Sequence, residues 1–361
     1  MRKVWQSIKT LWKAHLGFKL AVLYLLLLLT LALLLPLLPL NFGPNYLDLE
    51  HAFLSPFSSE ALASGHVFGT DNLGRDLLAN MLYGARTAFF IALPVMSLAT
   101  LLGLLLGTGA GFYGANGLVL PRHRLLFFAL ALLLVLYYGL YLPLYVFKLG
   151  MGLAAAGLSV AFLLVAIALS WAATALLLKR FPFWRKANAV PVDQFVLRLT
   201  EALSSIPRFV LILVLASFVP PSVALLSLLL VLTLWPSAAR LARAEMLRIK
   251  GLPYFEAAQS IGSSPRRLLW RHALPNLLGP VLVAFTFGLG GLLALESTLS
   301  FLNIGVPTTL VSWGRTISNI RGNTSAWWLV ALPGGLLSLT VLALYTCSHY
   351  LTKEFRTKSK G

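Results

Sequence analysis

Long apolar runs without a charge recur along this chain, separated by short polar or basic blocks. Six are immediate: Leu20 to Leu47, Thr87 to Pro121, Leu125 to Phe147, Leu149 to Leu178, Ala273 to Leu295 and Ser325 to Cys347. Each reaches the length of about 20 residues that a helix needs to cross the hydrocarbon, where lipid offers no partner to an unpaired backbone group. The stretch Phe209 to Ala239 is divided by Pro220-Pro221 and reads as two spans, Val196 to Val219, with Arg198, Glu201 and Arg208 at one end, and Ser222 to Leu241. The pattern predicts an all-α polytopic membrane protein of about eight spans.

Ahead of the first run, Val4, Ile8, Leu11 and Trp12 share one helical face, while Arg2, Lys3, Lys9 and Lys13 largely occupy others. Residues 1–18 are therefore expected to form an amphipathic helix lying in the membrane interface, with a disordered basic tail as the plain alternative. The apolar stretch from Leu20 to Leu40 exceeds the 7–15 or so residues of a signal core, and no A-x-A site follows, so it is expected to stay in the membrane as the first span, 19–47.

Composition fits this picture. Hydrophobic residues make up 58% of the 361 and charged residues 11%, against about 25% charged in soluble domains. A net charge of +18 could point to nucleic acid, but the bases sit in short blocks between apolar runs, where they would face anionic lipid. Their placement also orients the chain. With the amino terminus in the cytoplasm, the inner loops hold Arg122 and Arg124, then Lys179, Arg180, Arg185 and Lys186, then the cluster Arg240 to Arg271, and finally the tail bases Lys353, Arg356, Lys358 and Lys360. The outer loops hold Arg75 and Arg86, Lys148, and Arg315 and Arg321. Both termini are thus expected in the cytoplasm of a multi-pass inner-membrane protein. Tyr137, Tyr138, Tyr141 and Tyr145, and the pair Trp327 and Trp328, lie near span ends, where aromatic belts form. Cys347 is the only cysteine, which excludes disulfides within the chain and thiolate clusters.

Two polar segments carry candidate chemistry. Between Arg240 and His272, Tyr254 to Ile261 reads as one short helix and Pro265 to Ala273 as another, with Gly262 giving the turn. Ala257 and Ala258 would let another protein approach closely, Glu256 offers a charge, and Arg266, Arg267 and Arg271 make the far side positive; a plain amphipathic loop helix is the alternative. In the first outer loop, Gly69-Thr70-Asp71-Asn72-Leu73-Gly74-Arg75-Asp76 reads as a turn that leads into a helix amino terminus. A metal site on Asp71 and Asp76 is the minor reading there. Glu296, after a long apolar run, is a candidate for the pathway or an outer gate, against a solvated or capping role. His272 reads as structural. Gly288, Gly290 and Gly291 read as small residues for close helix packing.

The run EAAQSIGSSPRRLLWRHALPN, residues 256–276, resembles the EAA loop of ABC importer permeases, and its ending resembles the dipeptide, oligopeptide and nickel branch. Gly69 to Asp76, followed by Leu82-Tyr83-Gly84-Ala85-Arg86, is similar to the GTDxxGRD segment of that branch's C-type subunits. Further similar blocks are Trp235-Pro236 with Arg240-Leu241, Gly279-Pro280, Glu296 with Leu299 to Leu302 and Gly305-Val306, and Ser312-Trp313-Gly314. The resemblance covers about residues 15–114 and 191–352. It implies a type I importer transmembrane domain of six core helices: 87–114 after the outer loop 48–86, then 191–350 with the coupling loop 242–272, ending in the basic tail 351–361. It also implies that Glu256, Ala257, Ala258, Gly262, Arg266 and Arg267 contact a separate ATPase, and that Gly69, Thr70, Asp71, Gly74, Arg75 and Asp76 shape the outer mouth. Implied partners are ABC ATPase subunits, a second homologous permease subunit and an extracytoplasmic substrate-binding protein.

Residues 115–190 depart from the family pattern and read as an inserted helical hairpin. No G-x-x-x-x-G-K-[ST] phosphate loop occurs, so the chain is expected to hold no ATP or other cofactor and to be no enzyme itself. The expectation is a permease for short peptides, with nickel or another small solute, or a secondary transporter, as alternatives.

Overall fold

The computed structural model describes residues 2–115, 117–148, 152–217, 222–304, 307 and 309–358. Pro220-Pro221, Leu149-Gly150, Gly305-Val306 and Lys360 lie outside the described residues, as do the side chains of Arg2, Lys3, Val4, Lys148, Lys179, Arg356 and Lys358. In chain order the helices that matter are α1 (Arg2–Ala14), α2 (Leu16–Leu34), α3 (Leu77–Tyr113), α4 (Arg122–Leu134), α5 (Gly152–Ala172), α6 (Val192–Ser204), α7 (Arg208–Ser217), α8 (Val223–Lys250), α9 (Pro253–Ser260), α10 (Pro265–Phe301), α11 (Trp313–Ser318) and α12 (Trp328–Lys358). Among the described residues, seven helices are long and apolar enough to cross a membrane: Leu16–Leu37, Leu77–Tyr113, Arg122–Gly139, Gly157–Leu176, Val223–Lys250, Pro265–Phe301 and Trp328–Phe355.

The span expected over Val196 to Val219 is instead two helices. Pro207 lacks an N–H and pushes Ile206 out of the helical region, so α6 stops at Ser204 and α7 starts at Arg208. At 13 and 10 residues, the two are about 20 Å and 15 Å long, short of the roughly 30 Å core. Arg198 and Glu201 stand exposed on α6, paired at 3.4 Å.

The chain divides into two compact units, residues 1–112 with 196–361, and residues 113–195. In the first, α1 forms as expected, but its apolar face is covered by protein: Ile8 and Leu11 pack with Phe18, Cys347 and Leu351. Cys347 is a buried core residue. The Tyr24 hydroxyl lies 2.9 Å from Thr340 Oγ1 and ties α2 to α12.

A close backbone approach joins α3 and α8. Gly103, Gly107 and Gly111 recur every fourth residue, on one face of α3. A Cβ on Gly107 would stand 2.2 Å from the Ala239 carbonyl oxygen, on Gly103 2.5 Å from Ala238 Cβ, and on Gly111 2.8 Å from Met246 Cβ. In lipid, helices gain by van der Waals packing rather than by burial from water, so such a stripe brings backbone against backbone. Gly288 and Gly290 instead make room for side chains, a Cβ there lying 2.4 Å from Met96 Cε and 2.8 Å from Tyr345 Cε1, whereas Gly291 has room around it.

The second unit contains the expected hairpin: α4 continues through a π-helical stretch, Val135–Tyr141, into a helix over Leu142–Lys148, and α5 runs back. Its base holds an antiparallel ribbon that the all-α expectation omits, β1 (Leu118–Pro121) with β2 (Ala187–Val190). Arg122 covers the Phe183 ring at 4.2 Å, and His123 Nδ1 lies 3.1 Å from the Trp184 carbonyl oxygen. Tyr137, Tyr141 and Tyr145 stack in succession at 5.6 Å and 6.0 Å.

Gly107→Val forces α3 away from α8 and is expected to destabilise the chain by about 1–3 kcal/mol, read as a lower thermal midpoint in detergent. Gly109→Val, at a position with open space around it, is the control that leaves the midpoint unchanged. Equal behaviour of the two variants refutes the packing role of the stripe.

Candidate functional site

At one end of the first unit, α8 and α10 are joined by the elbow built on α9. Pro253 starts α9 at its first position, where a missing N–H costs no hydrogen bond. Its end is closed by a Schellman turn: the Gly262 N–H donates to the Gln259 carbonyl at 3.0 Å and the Ser263 N–H to the Ala258 carbonyl at 3.2 Å. Gly262 has φ +76° and nothing near its Cβ position, so this glycine is required by backbone conformation and not by space. Ser264 then caps α10, its hydroxyl oxygen accepting from the Arg267 N–H.

The elbow is bolted to the bundle from below. Phe255 and Ala258 are buried in a cluster with Met246, Ile249, Leu268 and Leu277. The Asn276 side-chain amide donates to the Tyr254 hydroxyl at 2.9 Å and to the His272 carbonyl at 2.7 Å, which links α9 to α10. Tyr254 loses water by this packing, and burial pushes its phenol up. Glu256, Ala257, Gly262, Arg266 and Arg267 are exposed as expected. Ala258 is not: it faces inward, and its small size lets α9 lie close on the core. Pro265 to Ala273 is no separate helix either. It is the first part of α10, with a π-helical stretch at Leu268–Ala273 just before Pro275, which has no N–H for the regular ladder. Ile261, 82% exposed, and Trp270, 66% exposed, leave two large apolar side chains on the outer face of this elbow.

The opposite end carries a cap. Thr70 and Asp71 are fully buried, and the Thr70 hydroxyl donates to the His51 carbonyl while accepting from the Leu54 N–H. Asp71 Oδ1 accepts from the Leu73 and Arg75 N–H groups at 2.9 Å and 3.0 Å, and Oδ2 from the Asn319 amide at 2.9 Å. Burial raises the Asp71 carboxyl above the ordinary range, and these donors pull against it. Asp76 Oδ2 caps α3 through the Ala79 N–H at 2.7 Å, and Oδ1 meets His66 Nδ1 at 3.1 Å. Asp48 joins this network; a hydrogen bond from His51 holds its carboxyl below the usual range. Gly69 and Gly74 both have positive φ, and a Cβ there would strike the Leu54 and Asp48 carbonyl oxygens. The two aspartates thus have separate tasks, and no group of three metal-ligating side chains forms among the described residues.

Residues 188–353 match the family described as binding-protein-dependent transport system inner membrane component. A putative peptide transport system permease protein of Brucella abortus is 27% identical over 331 residues, covering 91% of this chain and 84% of the relative. The dipeptide transport system permease protein of Haemophilus influenzae is 24% identical, covering 92% and 87%. The oligopeptide transport system permease protein of Bacillus subtilis is 24% identical, covering 76% and 66%. Over residues 188–353 the chain is thus similar to this family of permeases.

The remaining candidate, Glu296, lies near the cap end of α10 and is buried at 1% exposure, so the solvated reading is replaced by an enclosed one. The Ser300 hydroxyl donates to its Oε1 at 2.7 Å. The next residue, Ser297, seats Gly314: a Cβ there would lie 1.9 Å from the Ser297 carbonyl oxygen. Trp313 is clamped beside it, its indole N–H donating to the Met81 carbonyl at 2.9 Å. Trp328 is no belt residue but a second clamp, donating to the Thr70 carbonyl at 3.1 Å, while Trp327 is exposed. The parts that sequence reasoning missed are His66, Asn319, Tyr254 and Ile261; only tertiary contact shows their roles.

Gly262→Val places a β-branched residue in the left-handed region, at about 1–2 kcal/mol or more. Tryptic cleavage after Arg266 and Arg267 is expected to quicken roughly tenfold, that being about 1.4 kcal/mol, while Gly262→Asn stays near wild type; no change in the Val variant overturns the role of the turn. In the cap, Asp71→Ala strands the Asn319 amide and two backbone N–H groups and is expected to cost about 1–3 kcal/mol. Because the folded carboxyl titrates above the unfolded one, its ionisation destabilises the cap as pH rises through that raised value. Asp71→Asn is therefore expected to fold stably and to flatten the thermal midpoint against pH over that window; an unchanged slope contradicts the burial argument.

Proposed function

We propose that this chain is a transmembrane subunit of an ATP-driven peptide importer, oriented with both termini and the elbow in the cytoplasm. The single observation that carries the reading is the elbow: a short helix fixed on a buried cluster, which presents Glu256, Ala257, Ile261, Arg266 and Arg267 outward. An unpartnered apolar anchor ringed by charges is the pattern of a protein interface. The partner is an ABC ATPase subunit, which binds the nucleotide; this chain hydrolyses nothing and holds no cofactor. Gly262 fixes the angle at which the anchor meets that partner, and Ala258 supports it from within. Peptide is preferred to nickel as cargo because the relatives compared above are named for peptide, dipeptide and oligopeptide transport.

Two such permease subunits, this one and a different homologue, would enclose the path, and a soluble substrate-binding protein would deliver cargo to the cap. The ATPase can drive the cycle only if it holds the elbow differently in two membrane states, since a ligand biases an equilibrium through differential affinity alone. Glu296, enclosed beside Gly314, belongs to the outer closure of the path in the state seen here.

Ile261→Ser tests the interface directly, because Ile261 is exposed and the fold makes no use of it. Losing the burial of one isoleucine, about 1.5–3 kcal/mol, is expected to lower ATPase retention on the purified chain and peptide uptake into cells by tenfold or more. Membrane insertion and thermal midpoint stay as in the wild type. Wild-type uptake by this variant, or by Glu256→Lys, would falsify the assignment of the elbow.

A further inference from the structure

Of the basic residues expected in outer loops, three converge. Arg75 from the cap loop, Arg315 from α11 and Arg321 just beyond it line a single cleft of about 340 Å³, together with Asn72, Asn303 and Asn319. No acidic side chain lines the cleft. The nearest carboxylate on the cap loop, Asp71, is turned inward to its own amides and to Asn319. Arg75 keeps its Nε buried without a partner. Arg315 gives one N–H to the Leu310 carbonyl at 3.0 Å, and Arg321 lies exposed over the Phe301 ring at 4.5 Å. Burial, and then the positive charge of Arg75, lower the Arg315 guanidinium, so the charges are gathered against their own repulsion. The Asn319–Asp71 hydrogen bond ties the end of α11 to the cap loop, and the turn at Asn303 follows directly on α10.

Three guanidiniums in a fixed, anion-free recess match the planar, two-oxygen geometry of a carboxylate. Such a recess on the outer face, with asparagine amides beside it, has the chemistry of a socket for one acidic side chain. We propose that this cleft docks the soluble substrate-binding protein by receiving an exposed Asp or Glu carboxylate between Arg75, Arg315 and Arg321. The proposal rests on the permease reading above and adds to it where, and by what chemistry, the delivering partner is held. Charge pairing at such a contact governs encounter and orientation more than final affinity, which suits a partner that must dock, release its cargo and leave.

The test uses the intact transporter in nanodiscs and, as probe, the substrate-binding protein that restores peptide uptake to it in vesicles. Arg321→Glu combined with Arg75→Gln is expected to weaken docking at least tenfold and to remove most of its salt dependence, with the thermal midpoint kept. Arg321→Lys alone, which keeps the charge, stays within a few-fold of wild type. Docking at wild-type strength with wild-type salt dependence overturns the proposal. So does normal docking of the double variant accompanied by lost uptake of peptides with a free C-terminal carboxylate but not of their C-terminal amides, since the cleft would then receive the cargo itself. Should the wild-type complex contain no ATPase, or should no binding protein restore uptake, the permease reading fails first and this proposal with it.

Discussion

Hydrocarbon gives two apolar helices no reason to prefer each other over lipid, so the bundle depends on places where backbone can touch backbone. Gly107 against the Ala239 carbonyl is the plainest of them, with Gly103 and Gly111 extending the contact by a turn on either side. On α10, Gly288 and Gly290 leave room for the Met96 and Tyr345 side chains instead. From this close packing follow the buried positions of α8 and α10, and from those the platforms at both ends. The elbow sits where Met246 and Leu277 emerge, and the cap sits where α3 and α10 meet α11 through Gly84, Trp313 and Gly314.

Much of this was legible in the sequence, for a physical reason. A charge-free run long enough to cross the bilayer has few alternatives, so six of the eight expected spans correspond to long helices, and the span from Ser222 corresponds to the start of α8. A glycine between two short helical patterns likewise points to a turn, and Gly262 adopts the positive φ that only such a turn requires. The failures are equally physical. Hydropathy counted Val196 to Val219 as one span because it weighs side chains, whereas Pro207 acts on the backbone. It counted Trp328 as a belt residue because an indole suits an interface, whereas this indole has found the Thr70 carbonyl. Ala258 looked outward because small residues suit an interface, but they suit a tight core equally well. The gathering of Arg75 with Arg315 and Arg321 was invisible, since Arg75 lies far along the chain from the other two and only the folded cap brings them together.

The GTDxxGRD segment shows how a motif can be informative before its task is clear. Its residue types suggested a turn and a helix start, and both exist. What the spacing could not reveal is that Thr70 and Asp71 spend their oxygens on three different parts of the chain, the loop at His51 and Leu54, the local turn, and Asn319. These side chains are buried with their hydrogen bonds made, beside an apolar cluster in which Phe53 and Phe68 pack on Leu77, Trp328 and Leu329.

A single element connects the two ends. Helix α10 spans 37 residues, about 55 Å of rise, from the elbow at Pro265 to Phe301 beside the arginine cleft. Its only irregular stretch among the described residues lies next to the elbow, where the π-helical turn precedes Pro275. The α-helical remainder also contains Pro280, which lacks the N–H of the regular ladder. Under the reading proposed above, a displacement at Ile261 would reach Glu296, Gly314 and the cleft wall only through the π-helical turn and past Pro280.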